Sequence, residues 1–390
     1  MSSAPSVTSG RTRTAVVVGA GIGGLCAAVA LARAGIEPLV FERSRDLAPL
    51  GAGLTLWPNA LHALRRIEAG AVLETQSAAL GAGGIRTARG KTLVSTADLE
   101  LERRFGAPAI VLHRSELQRA LLDALAPFRP TLGASLDGFE QDETGVTARF
   151  DDGREVRGDV LVGADGVDST VRRLLLADGG PRYAGYIAWR AVTRFDAGRV
   201  IAAESWGPGS VFGLLPLSDG RLYWFGTRPA RSGERDEGPE QRRQEVLERF
   251  AAWHEPISEV VESTAAADVL RHDVVDRPPR RGWSQGRATL LGDAAHPMTP
   301  HLGQGACQAI EDSVVLARCL GAAEDVAQAL RAYESRRFER TARIVERSRR
   351  IGRLAQWRSP LAIRARDALV ERLPARVQLD QLAEVVGFRA

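Results

Sequence analysis

The chain has 390 residues, 44% apolar and 26% charged, with 52 basic against 48 acidic side chains for a formal net charge of +4. Those proportions describe a folded protein with room for one large domain or two interleaved ones, and they exclude a low-complexity or fibrous chain. No apolar run is long enough to cross a bilayer, and residues 1–13 lack the apolar stretch of a signal peptide, so a cytoplasmic location is expected.

Lys91 is the only lysine, and the arginines are scattered among acidic neighbours, which reads as a solvated surface rather than a stripe for nucleic acid. Cys26, Cys307 and Cys319 form neither a CxxC pair nor an even set, so they read as core-filling thiols in a reducing compartment.

In chain order, the apolar strand from Thr14 runs into Gly19-Ala-Gly21-Ile22-Gly23-Gly24, a GxGxxG turn. Leu25 to Ala34 has a helical period, Gly35 closes it, and Glu37 to Glu42 reads as a second strand, completing a βαβ unit. Gly19 would make the tight turn, Gly21 would let a pyrophosphate approach the backbone, and Gly24 would allow close helix packing. Glu42 stands where a carboxylate accepts from both hydroxyls of an adenosine ribose, which favours FAD or NAD over NADP; the neighbouring Arg43 could instead meet a 2′-phosphate. This unit leaves the dinucleotide undecided.

Gly84 to Thr92 resembles a P-loop with one spacer residue too many and is read as a hairpin turning at Arg89-Gly90. Asp159 to Arg172 is another apolar strand ending in a glycine and carboxylate turn, with Ser169 placed to cap a helix. Ser210 lacks a GxSxG elbow and reads as a strand turn, while Arg221 to Gly226 alternates as a strand.

Residues 290–312, LLGDAAHPMTPHLGQGACQAIED, end a strand in Gly292-Asp293 and open a helix at Gly303-Gln304-Gly305. Glycine at a helix start leaves unpaired amides open to a close, electron-rich neighbour. His296 and His301 lack the spacing of metal ligands on a helix, so a supporting or solvent-facing role is expected for both. Ala327 to Arg353 reads as a solvated, arginine-rich helix, and Leu361 to Val386 as a helical segment packed outside or at a dimer contact.

GxGxxG at Gly19, GADG at Gly163 and GDAAH at Gly292, in that order, resemble the class A flavin-dependent aromatic hydroxylases, the para-hydroxybenzoate hydroxylase family, over about residues 14–355. Residues 51–59 (GAGLTLWPN), 113–118 (HRSELQ) and 183–190 (YAGYIAWR) are similar to the branch containing salicylate hydroxylase, FAD-dependent urate hydroxylase and zeaxanthin epoxidase. The resemblance implies an α/β fold: a Rossmann-like FAD-binding domain with an interleaved β-sheet substrate domain and C-terminal helices. The expected divisions are 14–75, 100–178 and 280–355 for FAD, 76–99 and 179–279 for substrate, and 356–390 for the C-terminal segment.

It also implies that Glu42 binds the adenosine ribose, that Arg114 and Gln118 reach the ribityl and phosphate region, and that Thr55 lies near the flavin. Asp165 belongs to a motif tied to FAD and NAD(P)H, Asp293 would hold a ribityl hydroxyl, and the backbone of Gly303, Gln304, Gly305, Ala306 and Cys307, approached through Pro300, would follow the pyrimidine edge of the ring. Cys307 departs from the asparagine of many relatives, and Ser210 from the arginine of urate hydroxylase-like ones.

NADH or NADPH would dock transiently and reduce FAD; O2 would add at flavin C4a, and the resulting hydroperoxide would hydroxylate a small aromatic substrate. Tyr223 and Arg190 are the candidates for holding a deprotonated phenol or enol, with Tyr223 as a core aromatic and Arg190 as one half of a surface ion pair the plainer alternatives. Epoxidation of an alkene or polycyclic substrate, and a reductase, oxidase or escort flavoprotein, are competing functions. A halogenase lacks its WxWxIP motif and lysine here, and an NAD-dependent dehydrogenase leaves residues 290–312 unexplained. A monomer or homodimer is expected.

Overall fold

The computed structural model describes residues 12–47, 52–80, 83–95, 101–196, 198 and 200–390; residues 1–11 and Gly51 lie outside that set. The valine-rich strand Thr14–Val18 is buried on both sides, as a central strand of a parallel sheet must be. It sits in a six-stranded sheet ordered Ser284–Gln285, Ala288–Leu290, Val160–Gly163, Thr14–Val18, Glu37–Glu42, Thr131–Leu132, parallel except at the first pair. The helix Ile22–Arg33 covers one face and is buried from Leu25 through Leu31. Its end is closed by Gly35 at φ +76°, a backbone angle that suits glycine.

Register fixes the geometry of the site. Val18 pairs with Gly163, and Gly163 pairs with Leu290, so three strands end side by side. The turns that follow, at Gly19, Ala164-Asp165 and Gly292-Asp293, therefore share the crevice at the carboxyl edge of the sheet.

A second, seven-stranded sheet runs Leu270–Asp276, Arg182–Arg194, Arg221–Pro229, Ser210–Pro216, Ala202–Gly207, Gly83–Thr87, Thr92–Ser95. Its last two strands form a hairpin whose turn includes Gly90 at φ +85°, the turn expected there. Alternation sorts the side chains into two faces. Ile187, Trp189, Phe212, Leu222 and Trp224 pack under Val246, Phe250 and Ile257 of two short helices. The opposite face carries Arg190, Phe225, Gly213 and Glu204 in one cross-strand row and Val192, Tyr223 and Leu215 in the next, turned toward Ala52 and Val111.

The arginine-rich segment is one helix, Val326–Ala355, but it is not simply solvated, since Arg337 and Tyr333 are fully buried. The C-terminal segment is two helices, Pro360–Arg372 and Ala375–Val386, because Pro374 cannot continue the first. Among the described residues no helix is long and apolar enough to cross a membrane.

Candidate active site

The GxGxxG glycines are required by contact. A Cβ at Gly24 would lie 1.8 Å from the Gly19 carbonyl oxygen, and one at Gly19 would lie 2.5 Å from the Ala164 oxygen. Gly21 faces open space and caps the helix Ile22–Arg33 without any side-chain bond, and the first turn has no acidic residue. Its amides are open to an anion. The Glu42 carboxylate accepts from the Ala20 amide at 2.7 Å and the Ser44 amide at 2.9 Å, which holds it beside that turn; Arg43 is exposed.

Asp165 accepts from Ser169 Oγ at 2.5 Å and from the Thr170 amide at 2.7 Å, so its carboxylate ties the GADG turn to the helix Thr170–Leu176, which Ser169 caps. Arg114 begins the helix Arg114–Leu125, with Gln118 half-buried one turn on.

Across the crevice the helix Gly305–Ala322 starts without a side-chain cap and without an acidic residue in its first turn. Gly303 turns the chain at φ +58°, and its own amide donates to the Pro300 carbonyl at 2.8 Å. The open amides therefore begin after Gly303, because the helical ladder starts only where Gln308 donates to the Gln304 carbonyl. Trp57 Nε1 is buried beside Gly303 with no partner among the described residues. Cys307 Sγ lies 3.7 Å from the Thr55 carbonyl; burial pushes its thiol up to about 12, so it is a neutral filler.

Asp293 and Arg114 are open to solvent through the cleft yet walled by protein. Burial raises the Asp293 carboxyl while His296, Arg114 and Arg190 pull it back down. Arg190 is half-buried and makes no hydrogen bond or ion pair among the described residues, so the surface-pair alternative does not describe it. A Cβ at Gly53 would lie 2.4 Å from the Tyr223 ring, which packs directly on the strand Gly53–Leu56. Burial raises the Tyr223 phenol, so it stays protonated and able to donate near neutrality.

Two groups escaped the sequence reading. Glu204 shares the Arg190 row; burial raises its carboxyl, which accepts one bond, from Trp206 Nε1 at 3.1 Å. Nothing local marks it, because only strand register brings it to that face. The other group is a buried network behind the helix Gly305–Ala322. Arg337 donates to Asp312 at 2.6 Å and Glu311 at 2.5 Å, Arg340 donates to Glu311 at 2.8 Å, and Asn59 joins Glu311 at 2.6 Å to Gln304 at 3.0 Å. The adjacent carboxylates Glu311-Asp312 inside an apolar helix, set against two arginines three apart, were the available signal.

His296 and His301 are not solvent-facing. His296 Nε2 meets Asp312 at 2.6 Å, and His301 Nε2 meets the Tyr186 hydroxyl at 2.7 Å, with burial lowering His301 to about 4. Ser210 pairs with Gly207 across the Pro208-Gly209 turn between two strands, where it is buried and accepts from Arg249 Nε at 2.8 Å.

Residues 11–348 match the FAD binding domain family. The chain belongs to this family of FAD-dependent monooxygenases. It is 43% identical to the aurachin C monooxygenase/isomerase of Stigmatella aurantiaca over 92% of this chain and 93% of that one. It is 37% identical to the 3-amino-4-hydroxybenzoate 2-monooxygenase PtmB3 of Streptomyces platensis over 98% of both. The structure of Klebsiella pneumoniae HpxO complexed with FAD and uric acid superposes with a TM-score of 0.90, at 31% identity and 96% coverage of both chains.

As a member of the FAD binding domain family the chain takes FAD, and its cleft fits that group. An open glycine turn with uncapped amides suits a pyrophosphate, and a second uncapped helix start suits an electron-rich ring edge. Trp57 Nε1 and the Arg114 guanidinium are polar groups with no hydrogen-bond partner among the described residues.

Proposed function

We propose that this chain is an NAD(P)H-dependent monooxygenase that hydroxylates a small aromatic or heteroaromatic substrate held between FAD and the seven-stranded sheet. The observation that carries the reading is Arg190, a half-buried guanidinium without a partner among the described residues, in a row with Phe225 and Glu204 and beside Tyr223. FAD would accept a hydride from NADH or NADPH and activate O2 at its C4a position.

The protein's own part is positioning and electrostatics. The amides of Gln304 to Cys307 would hold the pyrimidine edge of the ring and would stabilise negative charge there. Asp293 and Arg114 hold the ribityl and phosphate region, while Glu42 with the amides after Gly21 holds the adenosine end. Arg190 favours the deprotonated form of a phenol or enol, Tyr223 donates to its oxygen, and Glu204 takes the proton. The seven-stranded sheet excludes water over the substrate. The expected division into FAD and substrate domains is part of this proposal.

The relatives act on urate, 3-amino-4-hydroxybenzoate and aurachin C by name. Ser210 shares the sheet face of Phe212, opposite Arg190 and Tyr223, and is bonded to Arg249, so its departure from the arginine of urate hydroxylase-like relatives does not set urate apart from the other two. The test is O2-dependent oxidation of NADH and NADPH by the yellow protein across phenols, aminohydroxybenzoates, quinolones and polyenes. Stimulation by one aromatic compound, with one oxygen atom found in the product, is expected; reduction with no oxygenated product from any of them would sink the reading.

A further inference from the structure

A cavity of about 270 Å³ lies outside the cleft, bounded by Tyr186 near the start of the strand Arg182–Arg194, by Thr299 before the glycine turn, and by the end of the helix Val326–Ala355. Its polar lining is unbalanced in charge. Arg349, Arg353 and Arg358 reach it, and among the described residues no carboxylate lines it. Arg349 is paired through NH1 to Asp276 at 2.7 Å, but Asp276 is also held by Arg182 at 2.9 Å, so one carboxylate serves two guanidiniums. Arg349 Nε is buried and has no acceptor among the described residues. Arg353 and Arg358 are exposed and make no ion pair among the described residues. Gln356 Oε1, also buried without a partner, is left to accept from a hydroxyl.

Clustered guanidiniums cost energy through mutual repulsion unless an anion offsets them, and a rigid fork with a free Nε is suited to a phosphoryl oxygen. A monoanion would leave at least one of the three arginines unbalanced. We propose that this cavity binds a phosphate dianion, free or as a monoester, with a hydroxyl on the same ligand meeting Gln356. It is separate from the pyrophosphate-binding turn at Gly21, and it touches the outer side of the loop that leads to Gly303. Ser348 anchors that loop by donating to the Thr299 carbonyl at 2.6 Å. Two sources share this chemistry: the 2′-phosphate of a nicotinamide dinucleotide, and free phosphate.

Isothermal titration of the FAD-saturated full chain with 2′,5′-ADP, 5′-AMP and inorganic phosphate tests the site without any turnover, so a failed hydroxylation assay leaves the result readable. One saturable site is expected, weakened about ten-fold or more in the exposed double variant R353A/R358A while FAD content is unchanged. Tighter binding of 2′,5′-ADP than of 5′-AMP identifies the reductant's 2′-phosphate as the source; equal binding of inorganic phosphate identifies free phosphate. R353E, which cannot unfold a buried pair because Arg353 has none, should weaken binding further. Absence of saturable binding by all three probes, equal affinity in the variants, or displacement of FAD by the probe overturns the proposal.

Discussion

Two glycines at the site do different work, and alanine separates them. At Gly24 a methyl group would meet the Gly19 carbonyl at 1.8 Å, so helix and strand must part. Gly24→Ala should cost about 1–3 kcal/mol, as overpacking does, and lower the flavin content of the purified protein. Melting temperature and visible flavin absorbance read both effects. At Gly53 the same methyl group meets the Tyr223 ring at 2.4 Å, away from the dinucleotide turn. Gly53→Ala should keep FAD but reduce substrate-stimulated oxidation about a hundred-fold, the usual penalty for misplacing a reacting group. Unchanged stimulation would remove Tyr223 from the reacting site.

Glu204 gives a third test at this scale, through pH. Burial raises its carboxyl in the folded chain, so the ionised form is the one the fold disfavours. Its penalty is absent where both states are protonated, below the unfolded value of about 4.3, and grows as pH rises through the folded value. Glu204→Gln should therefore leave stability unchanged at low pH and raise it near neutrality, by chemical denaturation. A flat difference across that range contradicts a desolvated carboxylate.

Among the elements, the helix Gly305–Ala322 has its start facing the cleft and its interior carboxylates facing the core. Arg337 neutralises Glu311 and Asp312 together, and both carboxyls sit below their ordinary range, Asp312 at about 2, because charge attraction from His296 and the arginines exceeds the burial penalty. Removing the cation leaves two buried anions. Arg337→Ala should destabilise by about 3–5 kcal/mol, the cost of breaking a buried pair. The sign for pH follows: the contribution of Asp312 is complete above its unfolded value of about 3.9 and is lost as pH falls toward about 2. Wild type should thus lose stability between those limits, and Arg337→Ala should lose much less, in denaturant titrations at stepped pH. The helix start was legible in Gly303-Gln304-Gly305. The network was legible only through Glu311-Asp312 inside an apolar helix; its partners were not, since Asn59, Glu311 and Arg337 are far apart in the chain.

For the whole molecule, the C-terminus is tied to the helix Gly305–Ala322 through that network. Arg340 donates to Glu311 and also to the carbonyls of Glu384 at 2.9 Å and Val385 at 2.6 Å, while Phe388 covers the guanidiniums of Arg337 and Arg340. Truncation after Pro374 should expose the network, lower the melting temperature and speed FAD release in a dilution assay. Equal release rates in the truncated and full chains would uncouple the tail from the site.

Local patterns were enough to determine the βαβ unit, the glycine-led helix starts without side-chain caps and the family, because glycine turns and strand periodicity are short-range constraints on the backbone. The tertiary structure alone decided that Val18, Gly163 and Leu290 end together, that Arg190, Tyr223 and Glu204 share a sheet face, and that Arg337 is interior. Those facts depend on register and on packing between distant segments, and an arginine or glutamate carries the same letter whether water or a carboxylate surrounds it.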